Sequence, residues 1–542
     1  MRVLLLTLIP AFSATAAPSQ LWGEEGELWD PVGRLPDFSY AGYGQGENPL
    51  PTLPQKAYVT EYGAVGDGET DNTAAFQAAI DDVDRGAIIV PAGTYRIDGQ
   101  LSIQESQLVL RGDGPSKSVL EFTHSMEDLF GPAVQWSWNG GLIDIRPPES
   151  PSMLTAISSD AARGDKSVSI SDSDSLVGAD MVVLELTDDA DGTLGRHLYA
   201  EQAEGGDCSW QDPLVLRIPL RIESVREDVV HFTQPFRQEI RAEWNPTLLS
   251  YPGIDTVGIE SLMIRFPETE YAGHLNEPGY NAIFMQGGVV NSWVKNVTIV
   301  NADNGVLTDT YSKWITVDGL TLEGRYGHHG LNIAHTADSL FQNLHYSSEW
   351  RHAMTVDHRS NGNVFKNITS DDIELSLDHH RDSPFENLFT NTTSATNLFN
   401  GGSDCAGYPG GARNTFWGHK LPLVPPYWKH IQTNLVGPTT IDESLTEERE
   451  WIEPLDSVFP RDLHKAQLYR RMGWTLEDTG DPAQSDSGAP PTDTGDSDGG
   501  SDRQLPSSGG CGCSSSSSAS FSTSLAVVLL MLGFKRRTPR PR

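Results

Sequence analysis

Short apolar runs recur at a nearly constant interval between residues 291 and 420. One phrase begins at Asn296, Gly319, Asn343, Asn367 and Asn387, so successive starts lie 23, 24, 24 and 20 positions apart. A second apolar run follows each phrase, and nothing between the runs has the 3.6-residue periodicity of an amphipathic helix. Such an interval predicts a solenoid in which parallel strands stack coil on coil, as in a β-helix.

A helix signal interrupts the strand pattern near the N-terminus, within residues 58–97. Residues 71–73 are of the types that begin helices, and Phe76, Ala79 and Ile80 then form one apolar stripe. A helix of this kind can cover the open end of a β-helix, where strand edges and core would otherwise be exposed. We therefore predict a capping helix in front of the first coils.

The same segment carries a family resemblance. It reads Val59-Thr-Glu-Tyr-Gly-Ala-Val-Gly-Asp-Gly and then Gly86-Ala-Ile-Ile-Val-Pro-Ala-Gly-Thr-Tyr. Together these parts resemble the N-terminal signature of the pectate-lyase-like superfamily, of the pectate lyase 3 type. The resemblance implies an all-β fold, a right-handed parallel β-helix. It does not specify the reaction, because lyases, glycoside hydrolases, epimerases and phage tailspikes share the signature.

Composition and periodicity divide the chain into seven segments. Arg2, the apolar run 3–12 and the small residues 14–16 predict a secretory signal peptide. Strand-like alternation without the coil period predicts a small inserted β domain, and a tract rich in Asp, Ser, Thr, Gly and Pro predicts a disordered stalk. The segments are the signal peptide 1–17; the arm, capping helix and first coils 18–154; the inserted domain 155–245; the main coils with the active site 246–420; a C-terminal covering segment 421–474; the stalk 475–510; and a tail 511–542.

The tail contains Cys511 and Cys513, a serine run, an apolar stretch over 525–534 and a terminal cluster of basic residues. The apolar stretch is shorter than the ~20 residues that a membrane-spanning helix needs. The arrangement resembles the C-terminal sorting tails of myxobacterial surface proteins, which implies that a sorting protease processes the tail and that the two cysteines are sites of processing or lipidation. We expect an exported protein that is anchored at the cell surface or outer membrane, or released extracellularly.

A net charge of −36 and a pI near 4.6 argue against nucleic acids and anionic membranes as partners. An acidic substrate would therefore need local positive charge at its site. Cys208 and Cys405 are candidates for a disulfide, but sequence alone leaves their pairing open. Neither cysteine lies at a metal-ligand spacing, so we expect no zinc site.

Titratable side chains are concentrated in the repeated stretch. Eight of the 15 histidines lie between residues 311 and 382, and residues one period apart stack on the same face of a solenoid. The pattern predicts a strip with His and Arg side chains at both ends. The predicted catalytic residues are His358, His379, His380, Arg381, Arg325 and His352; the predicted substrate-binding residues are Arg359, His328, His329, His274, Tyr271 and Lys313; Asp357 and Asp378 are predicted to orient their neighbours.

These residue types suit β-elimination on a uronate-containing polysaccharide. The reaction needs a cation against the C6 carboxylate and a base for the C5 proton, which Arg and His can supply. We predict a monomeric, surface-anchored polysaccharide lyase that binds an acidic polysaccharide in a groove of the β-helix. Ca²⁺ is a candidate cofactor that the sequence does not require, and the nearest acidic cluster is Asp371, Asp372 and Glu374.

Two other functions fit the same fold. A glycoside hydrolase would use paired carboxylates, for which the candidates are Asp357, Asp378, Asp371, Asp372 and Glu349. The lyase is preferred because the polygalacturonase-type motifs are out of order and the Arg-Ile-Lys element of that family is absent. A non-catalytic, carbohydrate-binding adhesin would explain the stalk and anchor equally well, but not the clustered histidines.

Overall fold

Successive coils of the chain pair in parallel and build two long sheets. The structure, a computed structural model, describes residues 17–208, 211–392, 395–400, 404–418, 430–437 and 450–474. All of them belong to the compact unit Met1–Asp481. In this part of the chain the first sheet has 15 strands and the second has eight. The predicted all-β solenoid is confirmed.

The strands of the two sheets follow one another around each coil. The first sheet consists of Gln55–Tyr58, Asp67–Asp71, Gly86–Val90, Gly93–Ile97, Leu108–Gly112, Ser118–Phe122, Gly258–Arg265, Trp293–Val300, Thr316–Glu323, Leu340–Tyr346, Val364–Ser370, Leu388–Thr392, Thr415–Trp417, Asn434–Gly437 and Trp451–Pro454. The second consists of Leu101–Ile103, Ile143–Ile145, Asn281–Met285, Asn304–Thr308, Gly327–Ala334, Trp350–Asp357, Leu375–His379 and Ala395–Asn400.

A third, narrow side closes each coil. Single residues of neighbouring coils bridge there in parallel, as Lys313 does with Ala337 and Asn361 with Phe385. Two short parallel pairs complete the parallel pairing: Ile254–Asp255 with Val289–Val290, and Ala17–Pro18 with Val458–Phe459.

A left-handed residue recurs within the strands of the first sheet and explains the repeated asparagines. Asn296, Gly319, Asn343 and Asn367 have φ of 52°, 74°, 56° and 56°, and the next in the series is Asn391 with φ of 49°. Glycine and asparagine tolerate this conformation better than other residues. The alignment of Asn387 with this series was wrong by four residues, because the apolar pattern alone could not separate two asparagines on one coil.

Asn387 belongs instead to a ladder of asparagines inside one corner of the β-helix. Its Nδ2 donates to Asn414 Oδ1 at 3.1 Å, and Asn363 Nδ2 donates to Asn387 Oδ1 at 2.9 Å. All three side chains are fully buried. The ladder satisfies buried turn backbone as well, since the amides of Ser339, Asn363 and Asn387 each donate to the asparagine one coil ahead.

Aromatic side chains stack in the same way inside the first sheet. The rings of Phe341, Phe365, Phe389 and Phe416 follow one another with centroids 4.9, 4.7 and 5.4 Å apart. They belong to a single apolar core that runs from the first coil to Leu435. One register therefore aligns both the polar corner and the apolar interior of the coils.

The described residues contain four α-helices: Thr73–Asp82, Met126–Phe130, Thr193–Leu198 and Leu463–Met472. The first is the predicted capping helix, and it buries Phe76, Ala79 and Ile80 against the core. None of the helices in the described ranges is both long and apolar enough to cross a membrane.

An antiparallel sheet of six strands interrupts the β-helix between residues 153 and 250. Its strands are Met153–Ala156, Ser167–Ser169, Met181–Thr187, Val215–Arg226, Val229–Phe232 and Thr247–Ser250, and they enclose a second apolar core. Cys208, on this insertion, forms a disulfide with Cys405, which belongs to the β-helix. The two cysteines that the sequence offered for pairing are therefore joined.

Buried charges hold the insertion against the coils. Glu386 accepts hydrogen bonds from two arginines of the insertion, Arg163 Nε at 3.0 Å and Arg237 Nη1 at 3.3 Å. It accepts a third from Arg413 Nε of the next coil, at 2.9 Å. Burial alone would raise the pKa of Glu386, but Arg163, Arg413 and Arg237 lower it to about 2. Asp338 pairs with Arg237 in the same contact.

The coils extend further than predicted at the C-terminal side. The strands Asn434–Gly437 and Trp451–Pro454 continue the first sheet, beyond the expected limit at residue 420. The predicted stalk and tail, with Cys511 and Cys513, lie outside the described residues, as do residues 1–16 of the predicted signal peptide.

Removing one rung of the asparagine ladder should destabilise the fold. In Asn387→Ala, the buried amides of Asn363 and Asn414 lose partners, which should cost at least about 2 kcal/mol of unfolding free energy. The control Asn367→Gly keeps the left-handed backbone on the outer side of the preceding coil and should cost less than about 1 kcal/mol. Urea unfolding followed by circular dichroism measures both; equal losses would contradict the buried ladder.

Glu386 should make stability depend on pH. Its folded pKa is lowered from 4.5 to about 2, so its contribution is present above pH 4.5 and is lost as the pH falls toward 2. The full effect is about 3 kcal/mol. Glu386→Gln should therefore lower the unfolding midpoint strongly at pH 6 and less than half as much at pH 3. The exposed variant Glu105→Gln should change neither midpoint.

Candidate active site

The predicted His and Arg strip lies on the outer face of the second sheet. Three neighbouring strands form it: Gly327–Ala334, Trp350–Asp357 and Leu375–His379. His329 is the register partner of His352, and Thr355 is the partner of Asp378. The parallel register thus carries polar side chains from successive coils into one line.

Five imidazole rings meet at one end of this strip; we call them the histidine cluster: His274, His328, His329, His352 and His380. His328 and His329 lie 4.0 Å apart between ring centroids, and His329 stacks on His352 at 5.0 Å. His352 is 5.1 Å from His380, and His274 is 4.9 Å from His328. All five were predicted as site residues: His328, His329, His352 and His380 come from three successive coils, and His274 comes from the inserted loop before them.

Asp378 is the buried carboxylate at the base of the cluster. Its Oδ2 lies 2.8 Å from the Nδ1 of both His352 and His380. Burial alone would raise the pKa of Asp378, but His380 and His352 hold it well below its usual range. Burial would lower the pKa of His380, whereas Asp378 and Asp357 raise it. The predicted orienting role of Asp378 is thus matched by contacts to two imidazoles.

The other members of the cluster are held neutral. Burial, reinforced by His352, lowers the pKa of His328 to about 2 and that of His329 well below 6.5. Burial also lowers the pKa of the more exposed His274. A neutral imidazole carries a lone pair, so these rings can accept a proton or bind a metal ion.

A second group lies at the other end of the strip, around Asp357. Asp357 Oδ1 is 3.0 Å from His358 Nδ1 and 3.4 Å from Arg381 Nε. His358 stacks on His335, and His335 lies 2.8 Å from the guanidinium of Arg359. Burial would raise the pKa of Asp357, but His358, Arg381 and His380 keep it well below its usual range. Asp357 is therefore ionised and links the two ends of the strip.

The loop before strand Asn281–Met285 forms a wall of the site. Tyr271 donates to Glu277 and packs edge-on against Tyr326 at 4.9 Å. Arg325 Nη2 donates to Asp303 at 2.6 Å, and Asp303 Oδ2 accepts the amides of Gly279 and Tyr280. Arg325, predicted as catalytic, is thus nearly buried and joins this loop to the sheet through Asp303; we call this contact the Arg325 clamp.

Three other predicted residues do not face the strip. His379 is fully buried inside the coil, against Phe389 and His430, because adjacent residues of a strand point to opposite faces. Lys313 lies under the insertion, paired with Asp338 at 3.2 Å. Arg359 is buried against Asp382 at 2.6 Å. The expected catalytic role of His379 and binding roles of Lys313 and Arg359 are corrected accordingly.

Sequence reasoning also missed residues that the fold brings to the site. Arg351 is exposed beside the cluster and acts electrostatically on His274 and Tyr326. Its place directly before His352 on a strand was a usable signal. Two further groups lie near His328 Nδ1: the Ser137 carbonyl and the Glu277 carboxylate. They belong to distant or irregular segments, so no pattern in the sequence around His328 indicates them.

Two triads in the described chain have ligand atoms close enough to share a metal ion. They are His274 with His328 and His352, and His352 with Asp378 and His380; within each, the atoms lie within 4.8 Å of one another. In the second triad, His352 and His380 already contact the carboxylate of Asp378. The first triad consists of three imidazoles and includes no carboxylate.

The Arg325 clamp should control the mobility of the loop. In Arg325→Met, Asp303 loses its cation, and the amides of Gly279 and Tyr280 should exchange hydrogen at least ~10-fold faster. Hydrogen exchange with mass spectrometry over residues 271–280 measures this. Arg265→Met, which breaks a more exposed pair with Glu121, serves as the control and should leave that loop unchanged. Unaltered exchange in Arg325→Met would contradict the clamp.

Comparison with known proteins gives short matches in sequence. A family model described as rhamnogalacturonase A/epimerase, pectate lyase-like, matches residues 57–134, which includes the signature at 58–97. Mannuronan C5-epimerase AlgE3 of Azotobacter vinelandii is 40% identical over 73 residues, 12% of this chain and 4% of that protein. Alginate lyase 7 of the same organism is 32% identical over 79 residues, 13% of this chain and 9% of that protein. These matches support the pectate-lyase-like resemblance.

Solved structures with distant likeness cover more of the chain. The tailspike protein gp49 from Pseudomonas phage LKA1 covers 70% of this chain and 64% of its own, at 11% identity and a TM-score of 0.40. The A-module of Azotobacter vinelandii mannuronan C-5 epimerase AlgE6 covers 71% and 77%, at 11% identity and a TM-score of 0.33. The fold assignment rests on the strand register described above.

Proposed function

We propose that the protein is a polysaccharide lyase that cleaves a uronate-containing polymer on the outer strip of the second sheet. The observation that carries the proposal is the Asp378–His380 pair, in which a buried carboxylate orients an accessible imidazole through its Nδ1. The opposite nitrogen, Nε2, is left for substrate chemistry. An oriented imidazole beside arginines is the combination that C5 proton abstraction requires.

The proposed step is a β-elimination. His380 Nε2 takes the C5 proton, the C5–H electron pair forms the C4=C5 double bond, and the C4–O4 bond breaks. The departing O4 takes a proton from water, so the products are a new chain end and an unsaturated uronyl residue. The C6 carboxylate must be neutralised while charge develops on it.

Arginines near the strip supply positive charge in an acidic chain. Arg381 lies next to His380 with about a quarter of its side chain exposed, 27%. Arg351 is exposed on the other side of the histidine cluster. A uronate between them would meet both cations, which supply part of the local charge that the net value of −36 makes necessary.

The state of the carboxylates favours the lyase over a glycoside hydrolase. A hydrolase needs one protonated carboxyl group as general acid. The pKa values of Asp357 and Asp378 are instead lowered by neighbouring imidazoles and Arg381 against the effect of burial. Asp371, a third candidate, follows a strand of the first sheet and pairs with His345 at 3.3 Å. None of these three suits the donor role.

The matched relatives support a uronate substrate. One is named for epimerisation at C5 of mannuronan and the other as an alginate lyase, and epimerisation at C5 also breaks the C5–H bond. The 73-residue match to the epimerase makes C5 epimerisation the second candidate function. Export and surface anchoring, expected from residues 1–17 and 511–542, would place either activity outside the cell.

His380→Gln should abolish elimination because the base is lost. The full chain would be incubated with alginate, polygalacturonate and other uronate polymers, and the ultraviolet absorbance of unsaturated uronyl ends followed. The substitution should lower kcat/KM at least ~100-fold, and Arg381→Ala should lower it as well. The matched control His345→Gln removes a half-exposed histidine from the first sheet and should leave the rate unchanged.

Other readouts distinguish the alternatives. Deuterium entering C5 in heavy water without chain cleavage would identify an epimerase. New reducing ends without unsaturated products would identify a hydrolase. Polymer binding with none of these signals would indicate an adhesin. Full activity in His380→Gln would remove this residue from the mechanism.

A further inference from the structure

Three imidazoles of the histidine cluster converge, of which those of His328 and His352 are buried and that of His274 is exposed. His328 and His352 come from neighbouring strands, and His274 comes from the loop that lies over them. Each offers a nitrogen within 4.8 Å of the other two. A tetrahedral ion with bonds of 2.0–2.1 Å needs nitrogens about 3.4 Å apart, which small side-chain adjustments can reach.

The surroundings of His328 and His352 assign their tautomers. His328 Nδ1 lies 2.7 Å from the carbonyl oxygen of Ser137, and His352 Nδ1 lies 2.8 Å from Asp378 Oδ2. Both partners are acceptors, so each Nδ1 carries the proton and each Nε2 has the lone pair. Histidines that bind metals are held in this way, with one nitrogen donating to a carbonyl or carboxylate and the other on the ion.

A buried carboxylate beside the triad is a separate observation. Glu277 is 3% exposed, and its Oε1 accepts from Tyr271 and lies 3.4 Å from His328 Nδ1. Its Oε2 has no hydrogen-bond partner among the described residues. Burying an incompletely partnered carboxylate is costly unless a nearby cation compensates it.

We propose that His274, His328 and His352 bind a divalent ion of the zinc class, with a fourth position open to substrate. Nitrogen ligands select zinc and the neighbouring transition metals, whereas Ca²⁺ and Mg²⁺ require oxygen ligands. The candidate Ca²⁺ cluster, Asp371 and Asp372 with Glu374, is exposed. The expectation of no zinc site rested on cysteine spacing and did not consider histidines from separate segments.

The open position gives the ion a role in the proposed reaction. An acidic polymer offers a C6 carboxylate, which is a ligand for such an ion and must be neutralised before the C5 proton leaves. This use of the ion rests on the proposed lyase function. Binding of the ion does not, because it depends only on the three imidazoles and the groups behind them.

Metal binding can be tested without any polymer. The full chain, purified without a polyhistidine tag, would be stripped with chelator, dialysed against Zn²⁺ or Co²⁺, and measured by elemental mass spectrometry and by visible absorbance of bound Co²⁺. We expect one ion per chain. His352→Gln and His274→Gln should each weaken affinity at least ~100-fold, and Asp378→Asn, which removes the carboxylate behind His352, by about 10–100-fold.

Controls separate loss of ligands from loss of fold. His274 is exposed on a loop, so His274→Gln should keep the wild-type circular dichroism and unfolding midpoint, and His345→Gln should keep full binding. No stoichiometric ion in the wild type, or equal binding in wild type and His274→Gln, would overturn the site. Elimination activity that is unchanged after stripping would overturn the catalytic use of the ion but leave the lyase standing. Bound ion without activity on any polymer would support the site and count against the lyase.

Discussion

The parallel register between coils is the constraint on which the rest of the structure depends. Because strand side chains alternate between faces, a slip of one residue would turn every core residue outward. Correct register aligns Phe341 with Phe365 inside, Asn363 with Asn387 at a corner, and His329 with His352 outside. The stabilising ladders and the candidate site are therefore products of a single alignment, repeated from coil to coil.

Buried carboxylates then hold the parts of the structure that the strand register does not position: the insertion, the loop and the imidazoles of the site. Glu386 gathers three guanidinium groups where the insertion meets the coils, and Asp303 ties the loop to the sheet. Asp378 does the same for two imidazoles. Each ion is compensated by several partners, and removing one partner of such a group is strongly destabilising. The acidic residues at these three positions thus organise the fold, whereas most other acidic residues in the described ranges are not buried.

The sequence was sufficient for the fold and for the neighbourhood of the site, but not for the direction of each side chain. The repeat predicted the coils, and the histidine spacing predicted a strip with His328 and His352 at one end; His380, expected at the other end, lies with them. It could not place Asn387 on the inner ladder, because the apolar pattern does not separate it from Asn391 four residues later. It could not turn His379 into the core, because a shift of one residue reverses the face of a strand to which a side chain belongs. Contacts across long separations, such as the Ser137 carbonyl with His328, leave no periodic trace.

The charge balance of the strip links the two proposals. Arg325, Arg359 and Arg381 were expected to meet an acidic polymer, yet each contacts a carboxylate, namely Asp303, Asp382 and Asp357. Their positive charge is largely used within the protein, and the whole chain carries −36. Desolvating a uronate carboxylate there needs additional positive charge close to it. A divalent ion on His274, His328 and His352 would supply that charge, because its three imidazole ligands bring no negative charge of their own.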